Sequence, residues 1–195
     1  MPSYTHLAYR RNAKAAARNQ QIKKPKNEAE LLRCREDFGF FCEYVADKPP
    51  AEHHKEWHKS FVTGEDSSCL MGIAGPNVDL LAPRGSAKST VLGLFTAWAI
   101  GTHTQAGKAL QILYLSYTVD IARSKSATIK RIIESKRFQE VFPKVRLNKH
   151  ATSNEYWSVD HKFAGIEITG DEAFTLCAAG LKGSVTSKRS QLVMI

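Results

Sequence analysis

The residues from Pro83 to Thr90 combine the groups that hold a phosphate. Three small residues, Gly85 to Ala87, precede Lys88 and Ser89, and an apolar run follows from Val91 to Ile100. Backbone N–H groups of a small-residue loop and of a new helix converge on phosphate oxygens, and a lysine neutralises their charge. A hydroxyl directly after that lysine is placed to bind Mg²⁺. The spacing therefore predicts a phosphate-binding loop.

The stretches on either side of this loop predict the elements that would position it. The apolar run from Val78 to Ala82, interrupted only by Asp79, indicates a buried strand. That strand ends at Pro83, which cannot continue a hydrogen-bonded ladder. The apolar run after the loop is too long for one strand, so it predicts a helix from Lys88 to about Gly101. A strand, a small-residue loop and a helix that opens with Lys-Ser form the layout of a P-loop.

The loop departs from the usual pattern G-x-x-x-x-G-K-[ST] at both glycines. Ala82 and Ala87 occupy those two positions. An alanine in the left-handed backbone conformation costs about 1–2 kcal/mol. Gly85, inside the loop, is the residue expected to take the unusual dihedral angles instead. The alternative interpretation is a helix that begins with a Lys-Ser pair by chance.

Residues 84–89, Arg-Gly-Ser-Ala-Lys-Ser, resemble the deviant Walker A loop of the large terminase subunit of tailed bacteriophages. This family comprises the ATPases that package DNA into empty capsids. It commonly has an arginine four residues before the lysine, and it tolerates alanine in place of the last glycine. Residues Ile112–Tyr117 and the helix that follows to Ser135 are similar to the second strand and basic helix of the family. Residues Gly180–Ser184 resemble its small-residue loop, and residues Leu192–Ile195 resemble its Walker B strand. The resemblance covers about residues 28–195.

The resemblance implies a site for ATP and Mg²⁺. Lys88 would bind the β- and γ-phosphates, and Ser89 would ligate Mg²⁺. Arg84 would reach the γ-phosphate as an arginine finger in cis, so Arg84 and Lys88 are the expected catalytic residues. Trp57, or a histidine beside it, is a candidate for contact with the adenine. The expected nucleotide contacts come from the loop and the first turn of its helix: Arg84, Gly85, Ser86, Ala87, Lys88, Ser89 and Thr90.

The resemblance also implies partners and a limit on catalysis. The partners would be double-stranded DNA, the portal protein and the small terminase subunit. The protein would form a homo-oligomeric ring on the portal in the host cytoplasm, and it would not be retained in the virion. In the family, the Walker B strand leads into an acidic pair that serves Mg²⁺ and the attacking water. The sequence stops at Ile195, where that pair and the later nuclease domain are expected. Asp171 and Glu172 could replace that pair, but they precede a loop and do not end a buried strand. Residues 1–195 alone are therefore expected to hydrolyse ATP poorly.

The remaining patterns predict an α/β fold with a parallel sheet flanked by helices. Buried apolar runs alternate with helical patterns, which favours parallel strands joined by right-handed crossovers. By resemblance, this is a P-loop NTPase fold of the ASCE type that is cut at the Walker B strand. We expect a partial ATPase domain at residues 27–195. Its expected elements are helices near 27–47, 51–62, 118–135 and 137–142, a strand at 111–117, a hairpin of 155–159 with 165–169, and a loop at 170–190.

The net charge of +9 is concentrated at the start of the chain. Residues 1–26 contain seven of the 28 basic side chains and no acid, which leaves 21 basic against 19 acidic residues in the remainder. We expect this segment to be a disordered arm that contacts nucleic acid, capsid or a partner, with an organellar transit peptide as the lesser alternative. A second basic concentration, from Lys108 to Lys149, is either a DNA-binding face or an ordinary solvated surface.

Other residue types favour a soluble protein without a metal cluster. The four cysteines, Cys34, Cys42, Cys69 and Cys177, have no metal-ligand spacing and predict buried, reduced thiols. His54, His58 and Trp57 fall on one helical face, which is more typical of packing than of a metal site. No apolar run is long enough for a membrane span. Two other functional classes stay open: a helicase-like P-loop ATPase and a non-catalytic module that binds DNA or a partner.

Overall fold

The computed structural model describes residues 28–61, 80–168, 174–181 and 190–195. These residues form an α/β fold in which helices flank a five-stranded sheet. The helices are α1 (Glu28–Glu36), α2 (Phe38–Ala46), α3 (Glu52–Phe61), α4 (Lys88–Gln105), α5 (Val119–Glu134), α6 (Lys136–Val141) and α7 (His161–Ala164). The strands are β1 (Ile112–Ser116), β2 (Leu147–Thr152), β3 (Tyr156–Val159), β4 (Leu176–Gly180) and β5 (Leu192–Met194). The expected α/β class is confirmed.

The sheet is mixed, so the predicted parallel sheet makes up only one part of it. Its strand order is β2-β3-β4-β1-β5. Strands β4, β1 and β5 are parallel, whereas β3 is antiparallel to both β2 and β4. The antiparallel part arises because β2 returns directly into β3 through a turn at Ser153, whose hydroxyl accepts the N–H of Tyr156 at 2.9 Å.

The predicted hairpin of residues 155–159 with 165–169 does not form. Asp160 ends β3 and caps the short helix α7 by accepting the N–H of Phe163 at 2.9 Å. Gly165 then takes φ +72° and ends the helix. Residues 166–168 are in neither a helix nor a strand, and Thr169 lies outside the described residues. A local cap therefore prevails over the alternating apolar pattern.

Strand β4 replaces part of the predicted loop at residues 170–190. It lies between β1 and β3, and its first three residues are buried. Gly180 ends it against the start of α5, where an added Cβ would lie 2.8 Å from the backbone N of Val119. Only glycine allows this close approach of helix and strand. Residues 170–173 and 182–189, including Asp171, Glu172 and the loop at 182–184, are outside the described part of the chain.

Two predicted helix boundaries are also wrong. The single helix expected over residues 27–47 is divided at Asp37, whose side chain accepts the N–H of Phe40 at 3.1 Å and caps α2. Helix α4 continues past Gly101 to Gln105. Gly101 is needed for packing instead, because a Cβ there would lie 2.5 Å from the ring of Phe142.

Helix α4 occupies the centre of the hydrophobic core. Trp98 packs against Phe38 of α2, and Ile112 and Leu192 of the sheet belong to the same buried cluster. The three cysteines within the described ranges, Cys34, Cys42 and Cys177, are buried and reduced as expected, whereas Cys69 lies outside. Burial raises the pKa of the Cys34 and Cys42 thiols to about 12. None of the helices in the described ranges is long and apolar enough to cross a membrane.

Candidate phosphate-binding site

The loop before α4 begins with a β-turn. The N–H of Ser86 donates to the carbonyl of Pro83 at 3.4 Å. Gly85 occupies the third position of this turn with φ +87°, as a type II turn requires. Ser86 uses its N–H in the turn, whereas the N–H groups of Arg84, Gly85 and Ala87 donate to no backbone carbonyl in the described ranges. The preceding residues 80–82 are not in a strand, and Val78 lies outside the described residues.

Ala87 adopts the left-handed conformation, with φ 58° and ψ 18°. Gly85 takes a positive φ as the sequence predicts, but it does so in addition to Ala87 and not in its place. Within the described ranges, Asp47 is the other non-glycine residue with a positive φ. The conformation costs an alanine about 1–2 kcal/mol, so the surrounding structure must impose it. Backbone strain of this kind is concentrated at binding and catalytic sites.

The strained residue leads directly into the first turn of α4. The carbonyl of Ala87 accepts the N–H groups of Thr90 at 2.9 Å and Val91 at 3.0 Å, which starts the helix. No side chain caps this end, and the first turn contains no acidic residue. The N–H groups of Lys88 and Ser89 therefore have no acceptor within the helix, and the partial positive charge of the helix end is not neutralised.

The side chains around this helix end are accessible. Arg84, Ser89 and Thr90 are exposed, and Lys88 is half-buried. Among the described residues, neither Arg84 nor Lys88 forms an ion pair. The fold thus brings together two cationic groups, a hydroxyl and several backbone donors, and no carboxylate of the described ranges pairs with these cations. Such a donor set suits a polyphosphate, with Ser89 available to an attached Mg²⁺.

Sequence reasoning did not identify the contact between His54 and this loop. His54 Nε2 lies 2.8 Å from the carbonyl oxygen of Ser86, and the N–H of Ala51 donates to His54 Nδ1 at 3.2 Å. Since Nδ1 accepts a hydrogen bond, the ring proton lies on Nε2 and is donated to Ser86. The helical periodicity places His54 near Trp57, but it does not indicate the distant partner.

Helix α3 is fixed to the core one turn beyond His54. The ring of His58 stacks on Phe38 with centroids 4.8 Å apart, and it lies 5.3 Å from the ring of Trp98. Burial lowers the pKa of His58. Trp57 packs partly against the core, and the structure does not bear on its predicted contact with adenine. No group of three or more His, Cys, Asp or Glu side chains in the described ranges is arranged to hold a metal.

Part of the basic region between Lys108 and Lys149 is used in internal contacts. Arg123 pairs with Asp120 and Glu155, and it thereby connects α5 to the turn before β3. Arg137 Nη1 lies 2.9 Å from Asp47 Oδ1 and also donates to the carbonyl of Tyr44. These two arginines are engaged in ion pairs, so fewer cationic groups of this region are left for a DNA-binding face than the sequence count indicates.

No protein-family model matches this chain, and no curated protein sequence matches it. The function is therefore inferred from the geometry of the loop and from the residues that surround it.

Proposed function

We propose that residues 83–90 bind the triphosphate of ATP together with Mg²⁺. The observation that carries this proposal is the pair of left-handed residues, Gly85 and Ala87, directly before Lys88 at the uncapped start of α4. A turn that alternates backbone handedness can direct N–H groups, here those of Gly85 and Ala87, toward an anion, and the helix end adds its own donors. The P-loop NTPase class, with ATPase activity, is the fold family that best explains this arrangement.

The individual roles follow from position and charge. Lys88 has no acidic partner in the described ranges, so its ammonium is available to the β- and γ-phosphates. The exposed hydroxyl of Ser89 is the proposed ligand of Mg²⁺, and Thr90 lies beside it. Arg84 is exposed on the turn, where its guanidinium is proposed to reach the γ-phosphate. The bound Mg²⁺ would neutralise charge on the phosphate oxygens.

The wider proposal is the ATP-binding part of a viral DNA-packaging motor of the terminase large-subunit type. The sequence likeness at residues 84–89, the left-handed loop and the α/β fold support it. Its partners would be double-stranded DNA, a portal and a small terminase subunit, in a ring in the host cytoplasm.

Titration with a fluorescent ATP analogue and Mg²⁺ tests the binding site. Lys88→Ala removes a charge-assisted contact and is expected to weaken binding by about tenfold or more. Lys108→Ala, which changes an exposed lysine beyond the opposite end of α4, is the matched control and should leave the affinity unchanged. Equal affinities for the wild type and Lys88→Ala would contradict the proposal and would favour a non-catalytic module that binds DNA or a partner.

A further inference from the structure

The hydrogen bond between His54 and Ser86 fixes the orientation of one peptide group in the loop. The carbonyl of Ser86 and the N–H of Ala87 belong to the same planar peptide, and none of the described peptide bonds is cis. In a trans peptide the two groups point in opposite directions. With the carbonyl held against α3 by His54, the N–H of Ala87 faces away from α3.

The exposure of the neighbouring residues agrees with this orientation. Gly85 and Ala87 are exposed, whereas the hydroxyl oxygen of Ser86 is buried and has no hydrogen-bond partner within the described ranges. Ser86 therefore turns both its side chain and its carbonyl inward. A carbonyl oxygen that faced a phosphate would repel it, so an anion site needs this peptide in the observed orientation.

The orientation of this peptide is also coupled to the strain at Ala87. Rotation of the peptide between Ser86 and Ala87 changes φ of Ala87, and it offers a route out of the left-handed region. The release of about 1–2 kcal/mol favours such a rotation. The bond from His54 opposes it, because rotation would remove the Ser86 carbonyl from Nε2.

We infer that His54 is a positioning residue of the phosphate-binding loop. Its hydrogen bond holds the Ser86 carbonyl so that the Ala87 N–H faces the phosphate of a nucleoside triphosphate. The inference rests on the proposed function, since it names the device that orients that site. His58, on the same face of α3 and one turn away, anchors the helix to Phe38 and Trp98, so His54 acts from a rigid support.

Two isosteric variants separate this role from an effect on α3 alone. In His54→Gln, the side-chain amide nitrogen reaches the position of Nε2 and can donate to Ser86. In His54→Asn, the side-chain amide oxygen reaches the position of Nδ1 and can accept only from Ala51. We expect His54→Gln to bind the ATP analogue as the wild type does and His54→Asn to bind it about fivefold more weakly, as for one lost hydrogen bond. Wild-type affinity in His54→Asn, or weakening in both variants to the same extent, would overturn the inference.

Controls keep the outcome distinct from a failure of the proposed function. His150→Asn changes an exposed histidine on β2 and should leave binding unchanged. Lys88→Ala is measured in parallel: if the wild type shows no Lys88-dependent binding, both the function and the inference are wrong. If Lys88 is required and His54→Asn binds normally, the inference alone fails.

A spectroscopic measurement on the wild-type chain does not depend on the folding of a variant. Long-range proton–nitrogen spectra distinguish the two neutral tautomers of an imidazole. His54 should carry its proton on Nε2, because Ala51 donates to Nδ1. A proton on Nδ1 would contradict the proposed bond to Ser86.

Discussion

Trp157 and Ser126 are joined by a hydrogen bond in the interior of the protein. The indole Nε1 of Trp157 donates to the hydroxyl of Ser126 at 2.7 Å, and both residues are buried. The contact connects β3, in the antiparallel part of the sheet, to α5, which packs over its parallel part. One polar pair therefore holds the two halves of the mixed sheet under the same helix.

Replacement of Ser126 by alanine should weaken this connection. The indole N–H would stay buried without an acceptor, and such a group costs about 1–3 kcal/mol. Urea denaturation should show that loss in the free energy of unfolding. Ser124→Ala, on the exposed face of the same helix, should change stability by less than about 0.5 kcal/mol. Equal losses in the two variants would mean that the indole finds another acceptor.

Two glycines of α4 should respond in opposite directions to alanine. At Gly101 the new Cβ would lie 2.5 Å from the Phe142 ring, so Gly101→Ala should destabilise by about 1–3 kcal/mol through overpacking. At Gly93 no heavy atom of the described residues outside the backbone of its own helix and its chain neighbours lies within 4 Å of a built Cβ. Gly93→Ala should therefore stabilise by about 0.5–1 kcal/mol through helix propensity. Thermal unfolding of the pair checks both signs, and destabilisation by Gly93→Ala would contradict this account.

Glycine at position 87 should relieve the strain in the loop. Ala87→Gly removes about 1–2 kcal/mol of left-handed strain, and part of this gain is offset by the greater freedom of glycine in the unfolded chain. We expect unchanged or higher stability in urea denaturation. Ala127→Gly, in the regular interior of α5, is the control and should lose about 1 kcal/mol. Equal losses at the two positions would argue against a strained Ala87.

Stability should fall as the pH decreases through the range in which histidines titrate. Burial lowers the pKa of His58, His103 and His161 from the ordinary value of 6.5. Below about pH 6.5 the unfolded chain then binds more protons than the folded protein does. The free energy of unfolding therefore decreases toward about pH 5.

Unfolding midpoints measured across this pH range check the direction of the effect. The nearby Asp37 raises the pKa of His58, but its effect is smaller than that of burial. His58→Phe keeps the ring in its aromatic cluster and should flatten the pH dependence. A midpoint that rises on acidification would contradict the assignment.

Local signals account for the parts of the fold that the sequence predicts. Thr118 caps α5 by accepting the N–H of Ile121, and the apolar run at residues 112–116 forms β1. The strand at Leu192, inferred from a family likeness, is present as β5. The cap of α5 and the strand β1 depend on neighbouring residues, so the sequence predicts them from local signals, whereas β5 was expected only from the likeness.

Non-local contacts account for what the sequence does not predict. Strand β4 consists of small residues without a clear period, and it exists because β1 and β3 pair with its two edges. Gly101 resembles a helix end in the sequence, but its role depends on Phe142. The strain at Ala87 and the bond from His54 likewise require the packed structure, so the site was predicted by residue type and not by its geometry.

The position of β1 between two later strands has a consequence for biosynthesis. Its neighbours, β4 and β5, leave the ribosome only after the whole α5-to-α7 segment has been made. During that interval the apolar β1 has two open edges, which is the condition under which nascent chains aggregate or recruit chaperones. The β2-β3 hairpin can close early, but β1 gains its two neighbours only when β4 and β5 have been synthesised.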